Sequence, residues 1–251
     1  MIVHQRIRQG GFTLIEIAIV IFIVGLLLAG LIAAVGPQIE ARDRRQTQLA
    51  IEDARVALYG FAMANGRLPC PDTSGDGVED CTPMAERGWL PWATLGLNAS
   101  GDAWGNRFMY RVATQAASVD CAYIRTTGGN IDVWTRGDDP TTSGVVEGKF
   151  RYRAGHNLPA VVWSHGRNGY GGKPVDGSPV RSGPPGWDTT DEGRNTADLP
   201  ALTTRLPVRG NAGSCSDTDE AQPFCEYDDL VSWLSPAVLY YDYVTAGLCP
   251  K

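Results

Sequence analysis

Between residues 17 and 36 the chain carries no charged side chain and almost nothing but apolar ones. At about 1.5 Å per residue, a helix of that length covers the roughly 30 Å of a bilayer's hydrocarbon core. The run therefore reads as a membrane span. An ordinary secretory signal has a shorter apolar region, ends at a small-residue cleavage site and leaves a soluble product. The Ala-rich residues 29–35 mimic such a site, but Glu16 argues against it. It stands directly before the run, where Phe12, Leu14 and Ile15 have already begun the hydrophobic stretch. An ionised group in such a segment costs about 2.5–3.5 kcal/mol unless a partner satisfies it.

The cysteines, Cys70, Cys81, Cys121, Cys215, Cys225 and Cys249, all lie beyond that run and form neither a CxxC pair nor a Cys/His zinc spacing. A disulfide-bonded domain outside the cytoplasm follows. Several pairings are open; closeness in the chain favours Cys70 with Cys81 and Cys215 with Cys225, leaving Cys121 for Cys249. A length of 251 residues suits one anchor and one cored domain. A net charge of -6 and a pI near 5.1 argue against a nucleic-acid partner, because counterion release needs a surplus of Lys and Arg on one face.

After the span, Ile51, Ala54, Leu58, Phe61 and Ala62 recur at helical spacing. The anchor is expected to continue as a helix over residues 37–65, with Pro37 able to kink it and Asn65-Gly66, followed by Pro69, as its stop. Runs rich in β-branched and aromatic residues at 107–113, 121–125, 131–135, 149–153 and 160–164 predict antiparallel strands. Residues 166–228 are dense in Gly, Pro, Asp, Thr and Ser, which predicts a mostly irregular segment tied down by Cys215 and Cys225. Residues 229–243 suit a short helix, or a helix and strand broken at Pro236. The expected class is α+β: a long N-terminal transmembrane α-helix packed on a small antiparallel β-sheet, with a long disulfide-tied loop insertion.

Gly10-Gly11-Phe12-Thr13-Leu14-Ile15-Glu16, behind a leader with Arg6 and Arg8, resembles the type IV prepilin signature. The resemblance implies that a membrane prepilin peptidase cuts after Gly11 on the cytoplasmic side and methylates the new amino terminus, Phe12. It implies that Glu16 pairs with the terminal amine of a neighbouring subunit during assembly. The corresponding plan is a leader at 1–11, a transmembrane and assembly helix at 12–36, its continuation at 37–65 and a pilin-like domain at 66–251. Such a protein is a structural subunit of a type IV pilus or a type II secretion pseudopilus. It is single-pass in the inner membrane, with its C-terminal domain in the periplasm or on the cell surface. Its partners are the peptidase, other pilin or pseudopilin subunits and the inner-membrane assembly platform. Arg42, Arg44 and Arg45 after the span rival Arg6 and Arg8 before it, so orientation rests on the signature and the cysteines. The competing reading is a singly anchored periplasmic calcium- or ligand-binding protein that does not polymerise.

Leu90-Pro91-Trp92, followed by Gly101-Asp102-Ala103-Trp104-Gly105-Asn106-Arg107-Phe108-Met109-Tyr110, is similar to the Asp-Pro-Trp-Gly-Asn-Pro-Tyr stretch of major pseudopilins. Ala103 and Arg107 stand where that family has prolines. Ser164-His165-Gly166-Arg167-Asn168-Gly169-Tyr170-Gly171-Gly172 is weakly similar to the same family's glycine-rich calcium loop, without its Asp residues.

The sharpest local motif sets Asp72, Ser74, Asp76 and Asp80 at alternating positions of one loop, with Gly77 permitting the turn and the Val78 carbonyl as a further oxygen. This is calcium spacing, since Ca²⁺ takes six to eight oxygens. Glu79 is expected to point outward. Pro83 in place of the closing glutamate excludes an EF-hand, and the loop resembles the acidic loops of thrombospondin type 3 repeats. Enzyme readings find little: there are 3 histidines and no GxSxG, HExxH or phosphate-loop pattern. Ser164 and His165 would point to opposite faces of a strand. Asp138-Asp139 and Asp228-Asp229 read as turn and helix-capping residues. The tryptophans read as core.

Overall fold

The computed structural model describes residues 13–98, 100–117, 121–136, 151–208, 214–219 and 221–250, with the side chains of 27–35, 115 and 117 outside the description. Helix α1 runs Leu14–Asn65 and contains Pro37. It opens on Thr13, whose hydroxyl and carbonyl both accept from the Glu16 N–H, at 3.3 and 3.1 Å. Thr-x-x-Glu is the pattern of a capping box, so the sequence itself specifies where the helix starts. Its end falls at Gly66, a positive-φ residue whose N–H returns to the Ala62 carbonyl.

The chain divides into two compact units, Met1–Asp43 and Arg44–Lys251. In the first, the described structure is helical from Leu14 onward, and every described side chain from 13 to 26 is exposed. Among the described residues no helix is long and apolar enough to cross a membrane. The apolar run at 17–36 includes residues 27–35, whose side chains fall outside the description.

The second unit holds two sheets. One is a fully antiparallel sheet of β1 (Arg87–Trp89), β2 (Met109–Val112), β5 (Ala160–Ser164) and β7 (Leu230–Trp233), in that order. The other sets β4 (Arg151–Leu158) antiparallel and β6 (Ala201–Thr203) parallel to a central β3 (Ile131–Arg136). The middle strands β2 and β5 are buried along their whole length. Alternation along them explains why. Tyr110, Val112, Ala160 and Val162 join Ile51, Ala54, Leu58 and Ala62 of α1 in one cluster, while Met109, Val161 and Trp163 join Ile131, Val133 and Leu202 in a second. On β4, the guanidiniums of Arg151 and Arg153 lie 4.7 and 5.0 Å from the Trp134 ring centroid.

The protein is α+β with disulfides, as expected, but its sheet architecture is richer than one small antiparallel sheet. Residues 121–125, expected as a strand, form helix α2 (Cys121–Thr126), which packs beside α4 (Pro236–Thr245). A short apolar run cannot distinguish strand from buried helix by itself, and the Cys121–Cys249 bond ties this one to the end of α4. The other bonds are Cys70–Cys81 and Cys215–Cys225, so the pairing is the one that closeness in the chain favours. Residues 149–150 and the Asp138-Asp139 pair lie outside the described residues, as does the start expected for β4. Pro236 separates β7 from α4 as the first helical residue. Segment 166–228 is largely irregular, yet it supplies α3 (Asp191–Arg194) and β6. Of the tryptophans, Trp163 is buried and the others are half-buried.

Candidate functional site

Three places carry the residues singled out above. At the amino terminus, Gly11 and Phe12 lie outside the described residues. Glu16 is exposed in the first turn of α1, where a negative charge is favoured by the helix dipole.

The loop at 72–80 is closed by its own hydrogen bonds. Asp72 is fully buried, and its Oδ1 accepts from the Gly75 N–H (2.6 Å) and the Ser74 hydroxyl (3.3 Å) while Oδ2 accepts from the Gly77 N–H (2.8 Å). Oδ2 of Asp80 accepts from the N–H and hydroxyl of Thr73 and the N–H of Ser74, which holds its carboxyl below the usual range. Asp76 accepts from the Val78 N–H at 2.8 Å. Among the described residues, Asp72, Asp76 and Asp80 do not bring three carboxylate oxygens within 4.8 Å of one another. Both oxygens of Asp72, Oδ1 of Asp76 and Oδ2 of Asp80 face N–H donors of the loop itself. Glu79 does not point outward; it accepts from Arg67 and from the Cys70 N–H. Cys70, Glu79 and Cys81 cluster, but the two sulfurs are bonded to each other.

A second tight turn lies at 102–106. Oδ1 of the buried Asp102 accepts from the N–H groups of Trp104 (3.0 Å) and Asn106 (2.8 Å), and Oδ2 accepts from the Ser164 hydroxyl at 2.6 Å. Burial pushes the Asp102 carboxyl up, and these donors pull it back. Ser164 is thus committed to anchoring β5 on this turn. His165 instead approaches Asp229, Nδ1 to Oδ1 3.8 Å.

A fourth place, beyond those three, is an acidic triad that sequence reasoning missed. Oxygens of Glu192, Asp228 and Asp229 all lie within 4.8 Å of one another. Glu192 sits on α3, whose N-cap Thr190 accepts from the Gly193 N–H, and the aspartates immediately precede β7. Asp228 Oδ2 accepts from the Asn168 N–H (2.9 Å), and Asp229 Oδ2 from Asn195 Nδ2 (2.7 Å). Asn195 also exchanges two bonds with the Thr203 backbone, which ties β6 to the same point. The other oxygens, Glu192 Oε1, Asp228 Oδ1 and Asp229 Oδ1, have no hydrogen-bond partner, and neither does either ring nitrogen of His165. Burial, with the neighbouring Asp229 and Asp228 charges, raises Glu192 to about 10; burial raises Asp228 to about 7. Gly166 is required here: its φ is +59°, and a Cβ would stand 2.2 Å from Asp228 Oδ1. The acids that the glycine-rich stretch itself lacks therefore reach it from distant parts of the chain. Only the adjacent pair Asp228-Asp229 was visible as a signal, and nothing in the sequence linked it to Glu192.

Residues 6–32 match the prokaryotic N-terminal methylation motif, the type IV prepilin signal. The chain is a type IV prepilin-like protein. The motif implies processing by a prepilin peptidase and, in general terms, a membrane-anchored, pilin-like protein. No curated protein and no solved structure matches the chain.

Proposed function

We propose that this protein is a structural subunit of a type IV pilus or type II secretion pseudopilus. On this reading the peptidase removes residues 1–11 and methylates Phe12. Residues 12–36 then anchor the subunit in the inner membrane, with the disulfide-bonded domain outside the cytoplasm. The observation that carries it is the methylation motif at residues 6–32, which overlaps the start of helix α1, whose described side chains from 13 to 26 are exposed and mostly apolar. Such a surface acquires neighbours in lipid or in a bundle of like helices. Glu16 is then the polar group in need of a partner, and the terminal amine of an adjacent subunit supplies an opposite charge. Function is mechanical, and no side chain is asked to do covalent chemistry.

Mass analysis of the membrane-extracted amino terminus, combined with crosslinking between subunits in cells, tests this reading. A methylated Phe12 terminus and crosslinks lost in Glu16→Ala are expected. An intact Met1 beside an active peptidase would overturn the processing step. Crosslinks unchanged by Glu16→Ala would leave an anchored protein that does not polymerise.

A further inference from the structure

Within the second unit, a cleft of about 550 Å³ opens between β1 and the segment at 171–187. Two of the half-buried tryptophans, Trp89 and Trp187, line it together with Met109 and Val180. Trp187 rests on Gly183, where a Cβ would stand 2.3 Å from its Cγ, and its ring lies 5.8 Å from that of Tyr170. Trp89 lies under the Arg107 guanidinium at 5.3 Å, and its backbone N–H and carbonyl are both bonded to Asp72. The outer edge of the short strand β1 is thus occupied at Trp89, which leaves no room for a peptide to add as a further strand. A ligand here is read by side chains.

The charges around the cleft are unbalanced, in a chain of net charge -6. Arg87, Lys173 and Arg181 line it, and among the described residues none of them forms an ion pair with an acid. Arg87 spends its Nη groups on the Thr196 and Asn195 carbonyls, at 2.7 and 3.4 Å, and its buried Nε has no partner. Burial, and then the charge of Arg111, pull the Arg87 guanidinium below its ordinary value, a cost that an incoming anion would offset. The acids that line the cleft are already engaged: Asp72 by the N–H groups of its loop, Asp198 by Arg111. Asp176, which interacts with Lys173 and Arg181 at longer range, is exposed and accepts from the Ser178 N–H. The backbone holds the two outer cations in place. Lys173 accepts from the Arg107 N–H, Arg181 accepts from Gly171 at 2.8 Å, and the Arg181 N–H donates to Gly172 at 3.3 Å.

We propose that this cleft binds an acidic saccharide, with sugar rings against the indoles of Trp89 and Trp187 and a carboxylate among Arg87, Lys173 and Arg181. Aromatic walls with a few convergent polar groups are the usual form of a small-ligand site. A pyranose offers a face of C–H groups that packs on an indole, while its hydroxyls remain in the water at the mouth. The planar guanidinium fork matches a carboxylate. An inorganic anion would leave the tryptophans uncovered, and a neutral sugar would leave the cations unanswered. The proposal rests on the geometry of the cleft and is independent of whether the subunit forms filaments.

The test titrates trigalacturonate and a hyaluronan tetrasaccharide into the full-length protein in detergent, read by tryptophan fluorescence and calorimetry. At least one of them is expected to bind saturably, with an affinity that falls as salt is raised. The methyl ester of the probe that binds keeps the rings and removes the charge, and it should bind at least about tenfold more weakly. Arg181→Gln, at an exposed side chain, should lose as much affinity while its melting temperature stays that of wild type. Arg194→Gln, in a second cavity that Trp187 also lines, should bind as wild type does. Failure of both probes to bind, equal affinity for the ester, displacement by an equal concentration of sodium phosphate, or wild-type affinity in Arg181→Gln would overturn the proposal. So would loss of binding in Arg194→Gln, which would move the ligand to that second cavity.

Discussion

Arg67 forks onto Glu79, with Nη1 2.7 Å from Oε2 and Nη2 2.8 Å from Oε1. The same carboxylate accepts from the Cys70 N–H, so it ties the residues just after α1 to the loop at 72–80. The Arg67 bond, helped by that N–H and opposed by burial, holds Glu79 below the usual carboxylate range. A carboxyl depressed in the folded state stabilises above its unfolded value of about 4.3, and that contribution is lost as pH falls through the folded value. Glu79→Gln should be less stable by about 1 kcal/mol at neutral pH. Urea unfolding should show the difference from wild type closing at acid pH; a constant difference would mean that charge plays no part.

Asp72 should matter with or without an ion. Both of its oxygens meet loop donors in a fully buried position, and leaving those N–H groups unpaired costs about 1–3 kcal/mol. Asp72→Ala should therefore lower the midpoint of unfolding in chelator as well as in calcium. A loss confined to calcium would show that the loop needs an ion to hold its shape.

Gly77→Ala should be nearly as damaging. Gly77 has φ +87°, and an added Cβ would stand 2.4 Å from Nε1 and Cε2 of Trp92. The backbone conformation alone costs about 1–3 kcal/mol for a residue with a side chain, and Trp92 must move as well. Tryptophan fluorescence, read beside thermal unfolding, should report both effects.

The Cys121–Cys249 bond closes 128 residues and the Cys70–Cys81 bond only 11. On the chain-entropy view the first constrains the unfolded chain by about 4–5 kcal/mol and the second by about 3. Replacing Cys121 and Cys249 together with Ser should accordingly lower stability more than replacing Cys70 and Cys81. The reverse order, in denaturant unfolding under oxidising conditions, would show that the short bond carries a local role in the loop it closes.

A bulky replacement at Gly11 should block release of the leader, and precursor should accumulate in membranes as a band of higher mass. Glu16→Ala should leave release and the three disulfides intact while removing crosslinks between subunits. Loss of the disulfide-bonded form in that variant would mean that Glu16 supports folding rather than association.

Local features were readable in the sequence where one segment decides its own state. Asn65-Gly66 ends α1, and of the stripe along it Ile51, Ala54, Leu58 and Ala62 are buried and Phe61 half-buried. The acidic loop was legible as a turn, but not which way its oxygens face, because spacing does not say whether an N–H or an ion meets a carboxylate. What stayed hidden depends on long separations. The parallel pairing of Val133 with Leu202, and the meeting of Glu192 with Asp228 and Asp229, join parts of the chain that share no periodicity. Segment 121–125 misled because a few apolar residues fit either a strand or a helix until the bond from Cys121 to Cys249 places them.

Among the described residues β4 forms one margin of its sheet, and its two arginines over Trp134 have a consequence for how copies of this protein avoid one another. An open strand margin is a template for adding a strand from another molecule, the first step of unwanted aggregation. Cations on that margin repel the same margin of a second copy and keep a shell of water that backbone pairing would have to strip away. Copies at high concentration are therefore expected not to pair through this seam, and replacing both arginines with valine should remove that safeguard.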